Sequence, residues 1–216
     1  MTSPTSGLNL IETLRWQQGQ GYYLLERHLD RLEKSADELG FSCRRTDVLD
    51  LLCQAASTFA GPIERVRLLV QPDGALSLTH TAITLPDPGE IMTFSISDKT
   101  TDSTDVLYRH KTTRRQLYDL ERLRLQKLTG CDEAVFTNQR GELTEGSIMS
   151  IFIEHEGVLL TPAVSCGVLP GTLRAELLAG KTGKTREAVL MLPDLAAADA
   201  IYLGNSVRGL IKAQQV

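Results

Sequence analysis

His110-Lys111-Thr112-Thr113-Arg114-Arg115-Gln116-Leu117-Tyr118-Asp119 sets one lysine close to three arginines, counting Arg109 just upstream. Neighbouring positive charge disfavours an ammonium group, and a lysine with a lowered pKa is the kind that forms a Schiff base with a carbonyl compound. Taken alone, the stretch reads rather as an ordinary surface lysine in a basic patch. Downstream, residues 113–128 carry a helical pattern. Upstream, residues 98–105 (DKTTDSTD) are polar and aperiodic, and they read as connecting chain. The expected organisation is a small N-terminal α+β domain over 1–98, a linker over 99–110 and a C-terminal domain over 111–216 that carries the lysine.

Working outward, a strand is expected at 8–16 and a turn at 19–21. A helix follows at 28–39, where Leu29, Leu32, Ala36 and Leu39 recur at helical spacing and Gly40 stands at the C-terminal cap. A second helix fits 47–59, stopped by Gly61-Pro62. Strands are expected at 65–70, 75–85 and 91–96, the first two joined by a hairpin at Pro72-Asp73-Gly74. In the second half, short strands fit 134–137, 148–153, 158–161 and 200–204, with a helix starting near Gly171. There is no regular strand–helix–strand rhythm, so a doubly wound sheet is not indicated.

The bulk chemistry excludes several classes. The 216 residues carry a net charge of −4 and no long basic run, which argues against a nucleic-acid surface. No apolar run is long enough to span a bilayer, and MTSPTSGLNL lacks the pattern of a signal peptide. Cys43, Cys53, Cys131 and Cys166 are scattered, so free thiols in a reducing cytoplasm are expected, with no zinc or other metal site. The stretch Gly180-Lys181-Thr182-Gly183-Lys184-Thr185 lacks the first glycine of a phosphate loop and follows a helix. It reads as a flexible polar connection.

Three further segments bear on chemistry. In His28-Leu29-Asp30-Arg31-Leu32 the leucines face inward, which sets Arg31 on a helix flank; by itself it reads as a solvated arginine. Gly141-Glu142-Leu143-Thr144-Glu145-Gly146-Ser147 runs into an apolar strand. A carboxylate there suits a protonated ring nitrogen, while a water-facing hairpin acid fits the same residues. Leu169-Pro170-Gly171-Thr172-Leu173-Arg174 opens a helix with glycine. Such a start admits a phosphate to free backbone N–H groups, and a plain helix entry looks the same.

Taken together, these segments resemble the class IV aminotransferases, the pyridoxal 5'-phosphate (PLP) family that includes branched-chain and D-amino acid aminotransferases and 4-amino-4-deoxychorismate lyase. The resemblance runs from Ile11-Glu12-Thr13 to Gly204-Asn205-Ser206, through LIETLRW, LLERHLDRLEKSA, HKTTRRQLYD, GELTEGS and GNSVRGL. It is strongest toward the lyase-like domains fused behind aminodeoxychorismate synthase. The implied fold is α+β, with a small N-terminal domain, a larger mixed barrel-like C-terminal domain and PLP in the cleft.

By the same resemblance, Lys111 matches the lysine joined to the cofactor and Glu145 the acid on the pyridine nitrogen. Arg31 matches the arginine on the phosphate, Thr172 and Leu173 the two backbone donors to it, and Ser206 with Asn205 a further phosphate contact. Arg109, Arg114 and Arg208 are candidates for substrate carboxylates. Leu173 departs from the usual threonine, so only its backbone contact carries over. The tyrosine that closely follows the lysine in branched-chain enzymes is missing at that spacing; Tyr118 comes later. The chain starts later than typical members, so one N-terminal strand is expected to be absent. The implied activity is PLP-dependent lysis of 4-amino-4-deoxychorismate to 4-aminobenzoate and pyruvate, a step toward folate, with a class IV aminotransferase as the alternative. The implied assembly is a cytoplasmic homodimer acting on a small amino substrate, functionally linked to aminodeoxychorismate synthase, with no nucleic-acid or membrane partner.

Overall fold

The structure is a computed structural model that describes residues 7–180 and 184–216. The chain divides into two compact units, Met1–Leu85 with His110–Arg114, and Pro86–Arg109 with Arg115–Val216.

The first unit is a four-stranded antiparallel sheet in the order β2-β1-β3-β4. Its strands are β1 (Leu10–Gln17), β2 (Gly21–Tyr22), β3 (Ile63–Val70) and β4 (Leu76–Ala82). Strand β3 alternates as its sequence demands, with Glu64, Val66, Leu68 and Val70 buried and Arg65 and Arg67 outside. The hairpin to β4 turns at Gly74, whose φ of 92° belongs to the left-handed region; a Cβ there would sit 2.9 Å from the Ser42 carbonyl oxygen. Helix α1 (Leu25–Leu39) packs on β1 and ends at Gly40. It buries Leu29, Leu32 and Ala36 at helical spacing, together with two polar groups, His28 and Ser35. Helix α2 (Arg45–Ala56) buries Val48 and Leu52 and packs on β4.

The second unit is an eight-stranded mixed sheet in the order β10-β9-β8-β11-β12-β5-β6-β7. Its strands are β5 (Ile91–Thr101), β6 (Glu133–Asn138), β7 (Leu143–Gly146), β8 (Ser150–His155), β9 (Val158–Pro162), β10 (Thr185–Ala188), β11 (Ala200–Asn205) and β12 (Gly209–Gln215). The β9–β10, β5–β12 and β5–β6 pairs are parallel. Although β7 ends the order, it packs against β8 and β9, so the sheet curls into a half-barrel. Phe94, Val135, Leu143, Ile151, Leu203 and Ile211 fill one core. Helix α3 (Gln116–Thr129) covers β6 through a second cluster of Tyr118, Leu125, Cys131, Ala134 and Phe136. Strand β6 is therefore buried on both faces, which explains why its apolar residues Ala134, Val135 and Phe136 run together without alternation. Helix α4 (Thr172–Ala179) packs on β10 and β11, and α5 (Leu192–Ala196) is a single short turn of helix.

The α+β, two-unit architecture agrees with the sequence expectation, but the boundaries differ. The expected linker over 99–110 begins inside β5, whose residues Thr100 and Thr101 pair with Thr137 and Asn138. Parallel pairing with β6 satisfies backbone groups of a segment whose side chains are too polar to announce a strand. Residues 86–98 thus belong to the second unit, and His110–Arg114, Lys111 included, to the first. Strands β7, β10 and β12 and helix α5 were not foreseen; each is short or polar. Cys131 and Cys166 are buried, Cys43 is half-buried and Cys53 is exposed, all as free thiols. Among the described residues no helix is long and apolar enough to cross a membrane, and no cluster of three or more metal-ligating side chains occurs. Lys181, Thr182 and Gly183, read above as a polar connection, lie outside the described residues.

Candidate active site

In the first unit, β1 and α1 hold three polar side chains together. Leu10, Glu12 and Leu14 share the buried face of β1, so the acid occupies a position in register with leucines. His28 and Arg31 stand three residues apart on the facing helix. Arg31 Nε donates to Glu12 Oε1 at 2.9 Å and its Nη2 donates to Oε2 at 2.6 Å, a two-point fork. His28 Nδ1 lies 2.6 Å from the same Oε2. The Arg31 side chain is 10% exposed, so the solvated-arginine reading does not hold.

Burial by itself raises the Glu12 carboxyl, but Arg31 and His28 outweigh it and bring its pKa from 4.5 down to about 2. Glu12 is therefore an anion at neutral pH. Burial holds His28 below its usual value against the pull of Glu12, and the nearby charges of Arg31 and Lys111 add to the lowering. The imidazole is thus neutral, and with an ionised partner its proton sits on Nδ1 and is donated to Glu12.

Lys111 lies on a short segment laid along β1. Ile11 N–H donates to the Lys111 carbonyl at 2.8 Å and Thr113 N–H to the Asn9 carbonyl at 2.9 Å, while Leu10 and Thr112 form an antiparallel bridge. Buried His110 adds an anchor, its Nδ1 at 3.0 Å from Ser35 Oγ and its Nε2 at 3.3 Å from Glu38. The lysine is thus placed by backbone pairing at and after it and by the His110 side chain before it, not by a helix.

In the second unit, Glu145 sits near the end of β7, only 8% exposed. The Tyr118 hydroxyl donates to its Oε1 at 2.9 Å and Leu169 N–H to its Oε2 at 3.3 Å. Burial, and then the Glu145 charge, push the Tyr118 phenol well above its ordinary value, so it remains a donor. Behind Glu145, the buried Glu133 carboxyl accepts from Ser147 Oγ, Ser147 N–H (3.0 Å), Ala134 N–H (2.9 Å) and Ile148 N–H (3.2 Å), which braces the turn after β7. Arg115 donates to the Ser147 carbonyl, tying α3 to that turn.

Leu169 leads into α4, whose N-cap is Gly171 and whose first residues, Thr172 and Leu173, are 4% and 5% exposed. A Cβ on Gly171 would lie 2.9 Å from Ser150 Oγ, and one on Gly204 would lie 2.9 Å from Leu173 Cδ2. Both glycines are therefore where backbone passes close to other groups. Next to Gly204, Asn205 Oδ1 accepts from Val207 N–H at 3.0 Å and Arg208 N–H at 2.9 Å, while its Nδ2 donates to the Ile148 carbonyl at 3.2 Å. Asn205 thereby shapes the turn that carries Ser206, which is 5% exposed.

The first unit therefore assembles Arg31 and Lys111 around Glu12 and His28, and the second links Glu145, the start of α4 and the turn at Ser206. The three arginines considered for substrate carboxylates divide otherwise: Arg114 is exposed in the first unit, and Arg109 and Arg208 are exposed in the second. Sequence reasoning assigned no role to Glu12, His28 or Tyr118. For Glu12 the missed signal was an acid in the register of two buried leucines.

The family model described as amino-transferase class IV matches residues 9–216. The chain is a member of the class IV aminotransferase family. A class IV relative from Schizosaccharomyces pombe, provisionally named aminodeoxychorismate lyase, is 26% identical over 94% of this chain and 88% of its own length. One from Thermotoga maritima, provisionally named branched-chain-amino-acid aminotransferase, is 24% identical over 96% of this chain and 77% of its own. Among solved structures, a Mesorhizobium loti protein provisionally named amino-acid aminotransferase superposes with a TM-score of 0.91 at 39% identity, covering 97% of this chain and 100% of that one. The 4-amino-4-deoxychorismate lyase of Pseudomonas aeruginosa shares the fold, with a TM-score of 0.79 at 23% identity over 96% of this chain and 82% of that one.

Proposed function

We propose that this class IV protein binds PLP and converts 4-amino-4-deoxychorismate to 4-aminobenzoate and pyruvate. The observation that supports it most is the buried Glu145 carboxylate, held by Tyr118 beside a glycine-started helix. The donor set fits the cofactor. A buried acid whose carboxyl receives Tyr118 and the Leu169 N–H suits a protonated pyridine nitrogen. Arg31 and the first turn of α4 suit a phosphate dianion, and that turn starts at Gly171, where a Cβ would collide with Ser150 Oγ. The Lys111 amine suits an aldehyde.

In this reading Arg31, Thr172, Leu173 and Ser206 would hold the phosphate, Glu145 the ring nitrogen and Lys111 the aldehyde carbon. When bound, PLP supplies an electron sink. Lys111, as the free amine, takes the proton from the carbon bearing the substrate nitrogen. Glu145 keeps the ring nitrogen protonated while this happens. The ring carbon–oxygen bond to the enolpyruvyl group then breaks, the substrate ring becomes aromatic, and the departing enolpyruvate takes up a proton, balancing the one that Lys111 removed, to become pyruvate. Arg109, Arg114 and Arg208 stay as candidates for the substrate carboxylates.

The second reading is an amino-acid aminotransferase with the same cofactor and lysine. The 39% identity to the Mesorhizobium loti protein of that provisional name favours it. The test is a spectrum of the purified protein with PLP, followed by aminodeoxychorismate without any keto acid. Stoichiometric pyruvate and 4-aminobenzoate are expected. Amino-group exchange that needs an added keto acid, with no pyruvate from aminodeoxychorismate, would select the second reading. An unchanged cofactor spectrum would refute both.

A further inference from the structure

We infer that Tyr118 is a positioning residue for Glu145, fixing which carboxylate edge that acid presents and keeping it ionised; this rests on the reading of Glu145 as the partner of a protonated ring nitrogen. The argument begins with geometry. Tyr118 lies on α3, is 5% exposed and donates its hydroxyl to Glu145 Oε1 at 2.9 Å across 27 residues of sequence. Its ring is held on two sides, edge-on to Phe136 with centroids 4.9 Å apart and edge-on to Tyr108 at 5.7 Å. The Arg115 guanidinium lies 5.3 Å from the ring centroid. A phenol this confined cannot swing away, so its hydroxyl is a fixed donor, not an adventitious one.

The second Glu145 oxygen receives the Leu169 N–H at 3.3 Å, from the segment that leads into α4. Each carboxylate oxygen thus has a donor from a different part of the unit, and the carboxylate plane is set by α3 on one side and the approach to α4 on the other. A carboxylate nine-tenths buried with no donors would take up a proton and lose the charge on which a pyridinium depends. Besides Glu145, the charged and titratable groups acting on the Tyr118 phenol include Tyr108 and Arg115. Neither removes the need for the hydroxyl: Arg115 donates to the Ser147 carbonyl, and Tyr108 packs on the ring.

Tyr118→Phe removes the oxygen and keeps the ring between Phe136 and Tyr108, so the packing that holds α3 to β6 survives. A hydrogen bond to a charged group corresponds to about one to two pKa units on the acceptor. Glu145 in Tyr118→Phe, followed by carboxyl infrared difference against Glu145→Gln and without cofactor, is expected to titrate about one to two units higher than in the wild type. With PLP bound, the pH dependence of the cofactor absorption band should shift in Tyr118→Phe in the direction seen in Glu145→Gln, by less. In wild-type protein labelled with carbon-13 at the tyrosine ring carbon bearing oxygen, the Tyr118 signal should move as Glu145 titrates, and it should lose that movement in Glu145→Gln. This last measurement does not depend on the folding of the phenylalanine variant.

A Glu145 titration and cofactor band in Tyr118→Phe that match the wild type, while Glu145→Gln alters the band, would overturn the role of Tyr118 alone. A Glu145→Gln band identical to the wild type would overturn the role of Glu145 itself, and with it the inference.

Discussion

Replacing Glu12 by glutamine removes one negative charge from a position 2% exposed, facing Arg31 and His28, and almost no volume. The carboxyl titrates at about 2 in place of 4.5 in the folded chain. At about 1.4 kcal/mol per unit, ionised Glu12 stabilises the first unit by about 3 kcal/mol at neutral pH. Removing one member of a buried ion pair costs about 3–5 kcal/mol by a separate route. Glutamine keeps an acceptor for one Arg31 donor, so the lower figure is expected. The pKa is depressed in the folded state, so the contribution is complete above about pH 4.5 and disappears as pH falls toward 2. Protonated Glu12 and glutamine are nearly isosteric and equally neutral. The wild type and Glu12→Gln should therefore differ by about 3 kcal/mol at pH 7 and converge as pH drops through that window.

The single tryptophan makes this measurable for one unit. Trp16 lies on β1, on the same side of the strand as Glu12, with its ring 5.1 Å from that of Phe59. Urea unfolding followed by its fluorescence reports the first unit alone, because the second unit has no tryptophan. A difference below about 1 kcal/mol at neutral pH, or one that keeps its full size at pH 3, would refute the assignment of Glu12 as a buried anion stabilised by its two partners.

Lys111→Ala is expected to abolish the cofactor absorption band and turnover, and borohydride reduction of the wild type should place the cofactor label on Lys111 by peptide mapping; a label on another lysine counts against the assignment. Arg31→Ala should weaken PLP binding more than Leu173→Ala, as read by equilibrium titration, because the first removes a charge from a phosphate dianion and the second leaves the backbone N–H in place. Gly167→Ala should destabilise the second unit, checked by thermal melting: its φ of 85° disfavours a side chain, and an added Cβ would lie 2.6 Å from Ser103 Cα. A melt unchanged by that substitution would mean that the two segments separate at little cost.

Much of the fold was readable because most elements obey one period each. Leu29, Leu32 and Ala36 announce α1, and the Pro72-Asp73-Gly74 turn announces the β3–β4 hairpin. The failures share a physical cause. Residues 97–101 are polar in sequence, yet they continue β5: after a register shift at 97–99, Thr100 and Thr101 resume the parallel pairing with β6, which satisfies backbone groups whatever the side chains are. Strand β12, GLIKAQQ, takes its place between β11 and β5 for the same reason. The β5–β6 and β5–β12 pairings join segments far apart in the chain, so no window of sequence contains them. The division of the chain followed suit: a lysine assigned to a C-terminal domain because it follows a polar stretch lies on a segment paired with β1.

The site divides along the same line between what a motif states and what only packing states. Lys111, Arg31, Glu145 and the glycine-started helix are candidates that the chain offers, because each lies in a short phrase that resembles the class IV family. The groups that govern them lie elsewhere in sequence, since a buried charge must find its partner in space. Glu12 meets Arg31 across 19 residues, and Tyr118 meets Glu145 across 27. Read alone, each of these partners has an innocuous explanation: Glu12 is a polar interruption in a strand and Tyr118 an aromatic on a helix. Yet burying the Glu12 carboxylate without Arg31, or Glu145 without a donor, would cost several kcal/mol. A buried acid in an apolar register is therefore itself a sequence signal that a cation or a donor must come from another element. Applied to β1, that rule points from Glu12 to the basic residues of the helix packed on it, of which His28 and Arg31 reach the carboxylate.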